Sequence, residues 1–144
     1  MIYITENDLK GDAQERFITD SAADFEESPD VIEKRVLGIV TTLIGERYDC
    51  GLIFDEDAPV RNDLLIDIIV KMTLFRLFKR NAMRKVSPGS KEDNTWALEQ
   101  LEKINNGRIK LAGLPKPAPD PVEDNGEPGG ESLWGNISNR DYYI

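Results

Sequence analysis

The stretch from Asn62 to Arg84 constrains the fold more than any other part of the chain. Its apolar residues are Leu64, Leu65, Ile66, Ile68, Ile69, Val70, Met72, Leu74, Phe75, Leu77 and Phe78, and on a helix they fall almost all the way round. A helix with no face to give to water belongs in the middle of other helices, covered on several sides. Asp67 and Lys71 interrupt the run, and no segment approaches the roughly 18 apolar residues that a membrane-spanning helix needs, so a soluble protein is expected. The polar positions are ordered. Asp63, Asp67 and Lys71 follow at steps of four, and Arg76, Arg80 and Arg84 repeat the step as a straight cationic stripe.

Three further helices are predicted around it. The first begins at Thr5, with Leu9, Ala13, Phe17 and Ile18 at helical spacing behind acids that suit a positive helix N-terminus. A polar loop from Asp20 to Glu27 leads to Ser28-Pro29, an N-cap residue followed by proline at the first helical position. From there Ile32, Val36, Ile39, Val40, Leu43, Ile44 and Tyr48 form the stripe of a second helix that runs to Tyr48. Cys50 to Pro59 reads as a loop, stopped at Gly51. After Pro88-Gly89, Ser90 is placed to cap a last helix, with Asp93 three residues on and Trp96, Ala97, Leu101 and Ile104 on its buried face. Asn106-Gly107 closes it with a left-handed cap. Arg108 to Leu111 then alternates polar and apolar, as a short extended segment does when it joins a sheet edge or lies on helices.

Composition narrows the chemistry. The chain has 144 residues, one cysteine and no histidine. Without histidine, the side chain that most easily moves protons near neutral pH is missing, and an enzyme is disfavoured; no catalytic residue and no cofactor are expected. Cys50 alone forms no internal disulfide, and with no CxxC a zinc site is not expected, which points to a reducing, intracellular origin. MIYITENDLK has neither a basic n-region nor an apolar h-region, so no secretory signal is read there. The acidic triplet Asp55, Glu56, Asp57 lacks the alternating spacing and distal glutamate of a calcium loop, and reads as a solvated turn with no metal.

Charge is unevenly spread. The 27 acids and 18 bases leave a net −9, yet residues 61–90 carry seven bases against two acids. From Pro115 the composition changes: five of the eight prolines fall between Pro115 and Pro128, interleaved with Asp120, Glu123, Asp124 and Glu127. No core can form from such a segment. It ends, however, in Leu133, Trp134, Ile137, Tyr142, Tyr143 and Ile144, and Trp and Tyr are the side chains that dominate binding hot spots. The expected organisation is a helical domain over residues 1–112 and a Pro/Gly-rich acidic arm over 113–144, reaching tens of ångströms at about 3.1 Å per extended residue.

The order of these features resembles the head-to-tail connector family of Mu-like phages, formerly a domain of unknown function. The matching elements are Tyr3, Thr5, Glu6, Asp8 and Leu9; a Gly-x-Arg-Tyr element at Gly45 to Tyr48; Pro59 before a long apolar helix centred on Phe75, Arg76 and Leu77; and a last helix closing as Leu101, Ile104, Gly107, Ile109 and Leu111. The resemblance covers residues 1–112 and not the arm. It implies an all-α, four-helix bundle-like adaptor domain with a short extended segment and a long C-terminal arm. It also implies a structural role in the virion: a homo-oligomeric ring of twelve copies under the portal protein, extending the channel and seating further ring or tail proteins. DNA would pass through without specific binding, and no membrane is involved.

Two surfaces are candidates for partner binding. Arg76, Arg80 and Arg84 can face an acidic neighbour, and a chain at −9 suits an acidic protein partner better than phosphate. The basic helix of one copy meeting the acidic N-terminal region of the next would be a heterologous contact, the kind that closes into rings. The arm offers Trp134, Tyr142, Tyr143 and Ile144 as anchors for a partner's pockets. Arg47 and Tyr48 read either as a subunit contact or, more simply, as a cap on terminal carbonyls and a core residue. The competing reading of the whole chain is a small acidic helical module, a regulatory protein or DNA mimic, acting as a monomer or dimer.

Overall fold

The computed structural model describes residues 1–12, 28–79 and 88–119. Among these the protein is all-α: α1 (Glu6–Asp12), α2 (Pro29–Ile44), α3 (Cys50–Ile53), α4 (Asp63–Lys79) and α5 (Pro88–Asn105), with no strand. Ala13, Phe17, Ile18, the Asp20–Glu27 loop and the chain from Asp120 onward lie outside the described residues. No described helix is long and apolar enough to cross a membrane.

Helix α4 takes the place its composition demands, packing against α1, α2 and α5, while α2 also meets α5. Leu65, Ile68, Ile69, Met72 and Leu77 are buried almost completely. Each such side chain contributes about 1.5–3 kcal/mol relative to exposure. Asn62 starts the helix: its side-chain oxygen accepts from Leu65 N–H at 3.2 Å and its carbonyl from Ile66 N–H at 2.9 Å. Ile32, Val36, Val40 and Ile44 of α2, and Ala97, Leu101 and Ile104 of α5, close the core on either side.

Several local readings change. Ser28 occupies the N-cap position with extended backbone and Pro29 follows in the first turn, but the serine hydroxyl makes no capping bond. Helix α2 ends at Ile44 rather than Tyr48, with Gly45 as a right-handed C-cap that donates its N–H to the Thr41 carbonyl; a Cβ there would lie 2.5 Å from that oxygen, so the position takes no side chain. Cys50–Ile53 is a helical turn, with Gly51 inside it. Asp49 caps it by accepting from Leu52 N–H at 3.1 Å, and burial of Cys50 and Ile53 holds it down. The last helix starts at Pro88, so Ser90 and Asp93 sit within it and Ser90 is not its cap. Gly107, at φ +75°, ends that helix as expected: Arg108 N–H reaches the Lys103 carbonyl at 2.9 Å and Gly107 N–H that of Ile104 at 3.1 Å, the paired bonds of a Schellman cap. Beyond it, residues 108–111 lie on the helices and join no sheet. Leu111 and Leu114 are buried, and Asp49 N–H donates to the Pro115 carbonyl at 2.9 Å.

The least expected feature is Glu33, wholly buried on α2. Its Oε2 accepts from Ile2 N–H at 2.7 Å, and its Oε1 from Tyr3 N–H at 2.8 Å and Ile4 N–H at 2.9 Å. One carboxylate thus satisfies three successive backbone donors that no helix or sheet serves. Tyr3 and Ile4 are drawn into the core with it. The Tyr3 hydroxyl donates to the Val60 carbonyl at 3.1 Å and accepts from Asn62 N–H at 2.9 Å, and its ring meets Phe54 edge-on at 5.0 Å. Burial pushes the phenol above its ordinary range. Glu33→Gln replaces one acceptor by an NH2 group that opposes a main-chain donor, and should cost about 2–3 kcal/mol in urea unfolding. Glu33→Ala should cost at least as much; an unchanged midpoint in both would show that the N-terminal segment is not part of the folded unit.

Candidate functional site

Charge is gathered on two sides of α4. On one side lies α1, whose start is a reciprocal cap: Thr5 N–H and Oγ1 donate to Asp8 Oδ2 at 2.7 and 2.8 Å, and Asp8 N–H returns to Thr5 Oγ1 at 3.3 Å. Arg61, just before α4, adds a 2.6 Å bond to the same Asp8 oxygen. Burial opposes the ionised form of Asp8, but the bonds from Thr5 and Arg61 outweigh it and hold the carboxyl below its ordinary 3.8. Asp8, Asp12, Arg61, Asp63, Ile66 and Asp67 line an open groove of about 420 Å³ between the two helices.

Lys71 joins this groove to α5. Its ammonium lies 3.3 Å from Asp12, 3.7 Å from Asp67 and 3.5 Å from Asp93, one carboxylate from each of three helices, and 5.8 Å from the Trp96 ring centre. Desolvation works against the charge, but the three aspartates more than offset it and the amine is raised above 10.5. A second hollow of about 390 Å³ adjoins, shared by Asp12, Lys71, Phe78, Ser90 and Asp93. Asp63 differs from its neighbours in being exposed and unpaired with any cation among the described residues.

The other side of α4 is basic. Arg76 and Lys79 face Ile32 and Arg35 of α2 across a cleft of about 280 Å³. Arg76 stands nine residues beyond Asp67, two and a half helical turns, which puts it on the opposite side. It is half-buried, and no carboxylate pairs with Arg76 or Lys79 among the described residues. Of the expected stripe only Arg76 is among the described residues, and Lys79 and Arg35 complete its cleft. Arg80 and Arg84 lie outside the described residues, as do Trp134, Tyr142, Tyr143 and Ile144.

The Gly-x-Arg-Tyr element closes the far end of the molecule. Arg47 Nε donates to the Asn105 carbonyl at the end of α5, and its guanidinium lies where a side chain on Gly107 would have to go, 3.0 Å from that Cβ position. Buried Tyr48 accepts from Leu111 N–H at 2.8 Å. Arg47 thus caps carbonyls, though of another helix than its own, and Tyr48 serves the core. Asp55 directs its carboxylate back into its own loop, accepting from Asp57 N–H at 2.8 Å and Ala58 N–H at 3.1 Å, while the triplet stays exposed. Among the described residues no group of three or more candidate ligands could hold a metal ion. Cys50 is buried, and burial pushes its thiol up, which makes it a poor nucleophile.

Sequence reasoning passed over Glu33 and saw Lys71 only as part of the polar row with Asp63 and Asp67. For Glu33 a signal exists: Val36, Leu37 and Val40 at three, four and seven residues put it on the buried stripe. For Lys71 only Asp67 is local; Asp12 and Asp93 arrive through the fold.

The acidic groove carries a pH signature. Since Asp8 titrates below its unfolded value, the stability it supplies is fully present above about pH 3.8 and drains away as pH falls through the lower folded value. Asp8→Asn should melt below the parent near neutral pH by the equivalent of about 1 kcal/mol, a partly exposed pair being worth no more. The two melting curves should converge in strong acid. For Lys71 the sign reverses: its contribution holds below 10.5 and fades as pH climbs through the raised value.

Comparison with protein-family models, with curated proteins and with solved structures gives no match.

Proposed function

We propose that the protein is a structural head-to-tail connector of a phage virion, a non-enzymatic adaptor at the portal vertex. In this reading the helical region is a four-helix bundle-like domain, copies assemble as a ring below the portal, and the ring extends the DNA channel and seats the tail. Twelve copies would match the portal's own symmetry. The observation that carries the reading is that motifs far apart in sequence, chosen for their likeness to the connector family, converge in space. Gly45, Arg47 and Tyr48 close on Gly107 and Leu111, and Tyr3 locks the approach to the long apolar helix.

Two further points support it. A chain at net −9 is suited to a channel through which DNA slides without being gripped. And α4 carries opposite charge on opposite sides, which suits repeated contact between identical copies better than a single encounter with a basic target.

The test is electron microscopy of purified virions with the imposed symmetry relaxed. The chain should appear as a ring at the portal vertex, its C-terminal arm on a neighbour. Absence from the particle would overturn the connector reading and leave the acidic binding module. The arm is tested separately: a chain ending at Pro119, which keeps the Leu114 and Pro115 contacts, should melt like the full chain yet fail to enter the ring. Loss of the fold on that truncation would show the arm to be part of the core.

A further inference from the structure

We propose that the basic cleft between α2 and α4 is the docking site for a second copy of this chain, which presents the Asp63 end of its acidic groove. The inference rests on the ring reading above and names its surfaces. Most charge on and around α4 is settled within the molecule: Arg61 is bound by Asp8, and Lys71 by three aspartates. What remains is Arg76 and Lys79 in the cleft, and Asp63 at the mouth of the groove, each without an opposite charge among the described residues. A half-buried guanidinium with no carboxylate partner among the described residues has lost part of its hydration, so an incoming carboxylate is worth more there than at an exposed lysine.

The geometry decides how copies would meet. The cleft opens toward α2 and the groove toward α1, so the two patches of one molecule cannot reach each other. When the cleft of one copy takes the groove of another, a cleft and a groove remain open at the ends. That is a heterologous interface, which builds a ring where the rotation between copies closes and an open filament where it does not. Duplex DNA is the other polyanion that could enter the cleft; a second copy carries the same net −9 and is also repelled at long range, but far less densely than a duplex with one charge per about 1.7 Å, and it offers the cleft a single matching carboxylate.

The experiment uses the full chain at low ionic strength. Equal amounts of unlabelled and 15N-labelled protein are treated with a zero-length carbodiimide, and mixed-isotope peptides joining Lys79 to Asp63 or Asp67 are expected. In sedimentation, Lys79→Glu and Asp63→Lys should each weaken self-association about tenfold, the equivalent of roughly 1.4 kcal/mol, and mixing the two should restore it, since each supplies the charge the other now needs. Both positions are exposed, and unchanged melting checks the fold of each variant. Arg76→Gln should weaken association in a salt-sensitive manner and so reports on the cleft without reversing a charge. A wild-type chain that stays monomeric with no mixed-isotope links would overturn the proposal, as would association indifferent to these substitutions. Duplex DNA binding that Lys79→Glu abolishes, without self-association, would overturn it in favour of nucleic acid. A chain that associates through these surfaces but is absent from virions fails only the connector reading. A virion ring whose assembly ignores the substitutions fails only this one.

Discussion

A carboxylate with no access to water must be surrounded by donors, and in this protein Glu33 meets that demand with the main chain of residues 2–4. Much of the remaining architecture depends on that exchange. With its amides held, the N-terminal segment needs no sheet partner, and it delivers Tyr3 to the approach to α4. There the phenol bridges the Val60 carbonyl and Asn62 N–H, and Asn62 in turn caps the helix. Arg61 stands between these two fixed points and reaches Asp8, which ties down α1. The acidic groove is therefore the far end of a chain of contacts that begins at one buried glutamate.

The other closure lies just after α5. Gly107 turns left-handed to finish α5, and the absence of a side chain there leaves room for the Arg47 guanidinium over the helix terminus. Tyr48 then holds Leu111, and Asp49 holds Pro115. Two short runs, 45–49 and 107–115, so fasten the segment after α5 to the helices without any strand. Position 45 is glycine because the preceding turn passes within 2.5 Å of where a side chain would begin.

The helices were legible because their evidence is local: the all-round apolar character of α4, the stripe of Ile32, Val36, Val40 and Ile44, and the Gly107 stop are each visible in a window of a few turns. Boundaries suffered where two local rules competed. Ser90 with Asp93 looks like a cap, yet both lie inside the helix, which already includes Pro88; Gly51 looks like a stop, yet burial of Cys50 and Ile53 made a helical turn across it. The charged site was legible only in part. Arg76 stood out by its four-residue rhythm, but its cleft is completed by Arg35 of another helix, and the trio of carboxylates around Lys71 comes from positions 12, 67 and 93. Pairings over such separations leave no periodic trace.

The N-terminal clasp also bears on the order of events in folding. Tyr3 bonds to partners 57 and 59 residues away, and Glu33 to amides about 30 residues behind it. Contacts that close such loops cost chain entropy before they return anything, whereas α2, α4 and α5 are built from neighbours. On the ribosome residues 2–4 emerge ahead of α2 and the start of α4, and have nothing to bind until those have followed them out. The clasp is thus a latch on an assembled core. Interactions that form after the rate-limiting step act chiefly on the rate of unfolding, so a clasp that closes last would set how long the protein stays folded more than how fast it gets there.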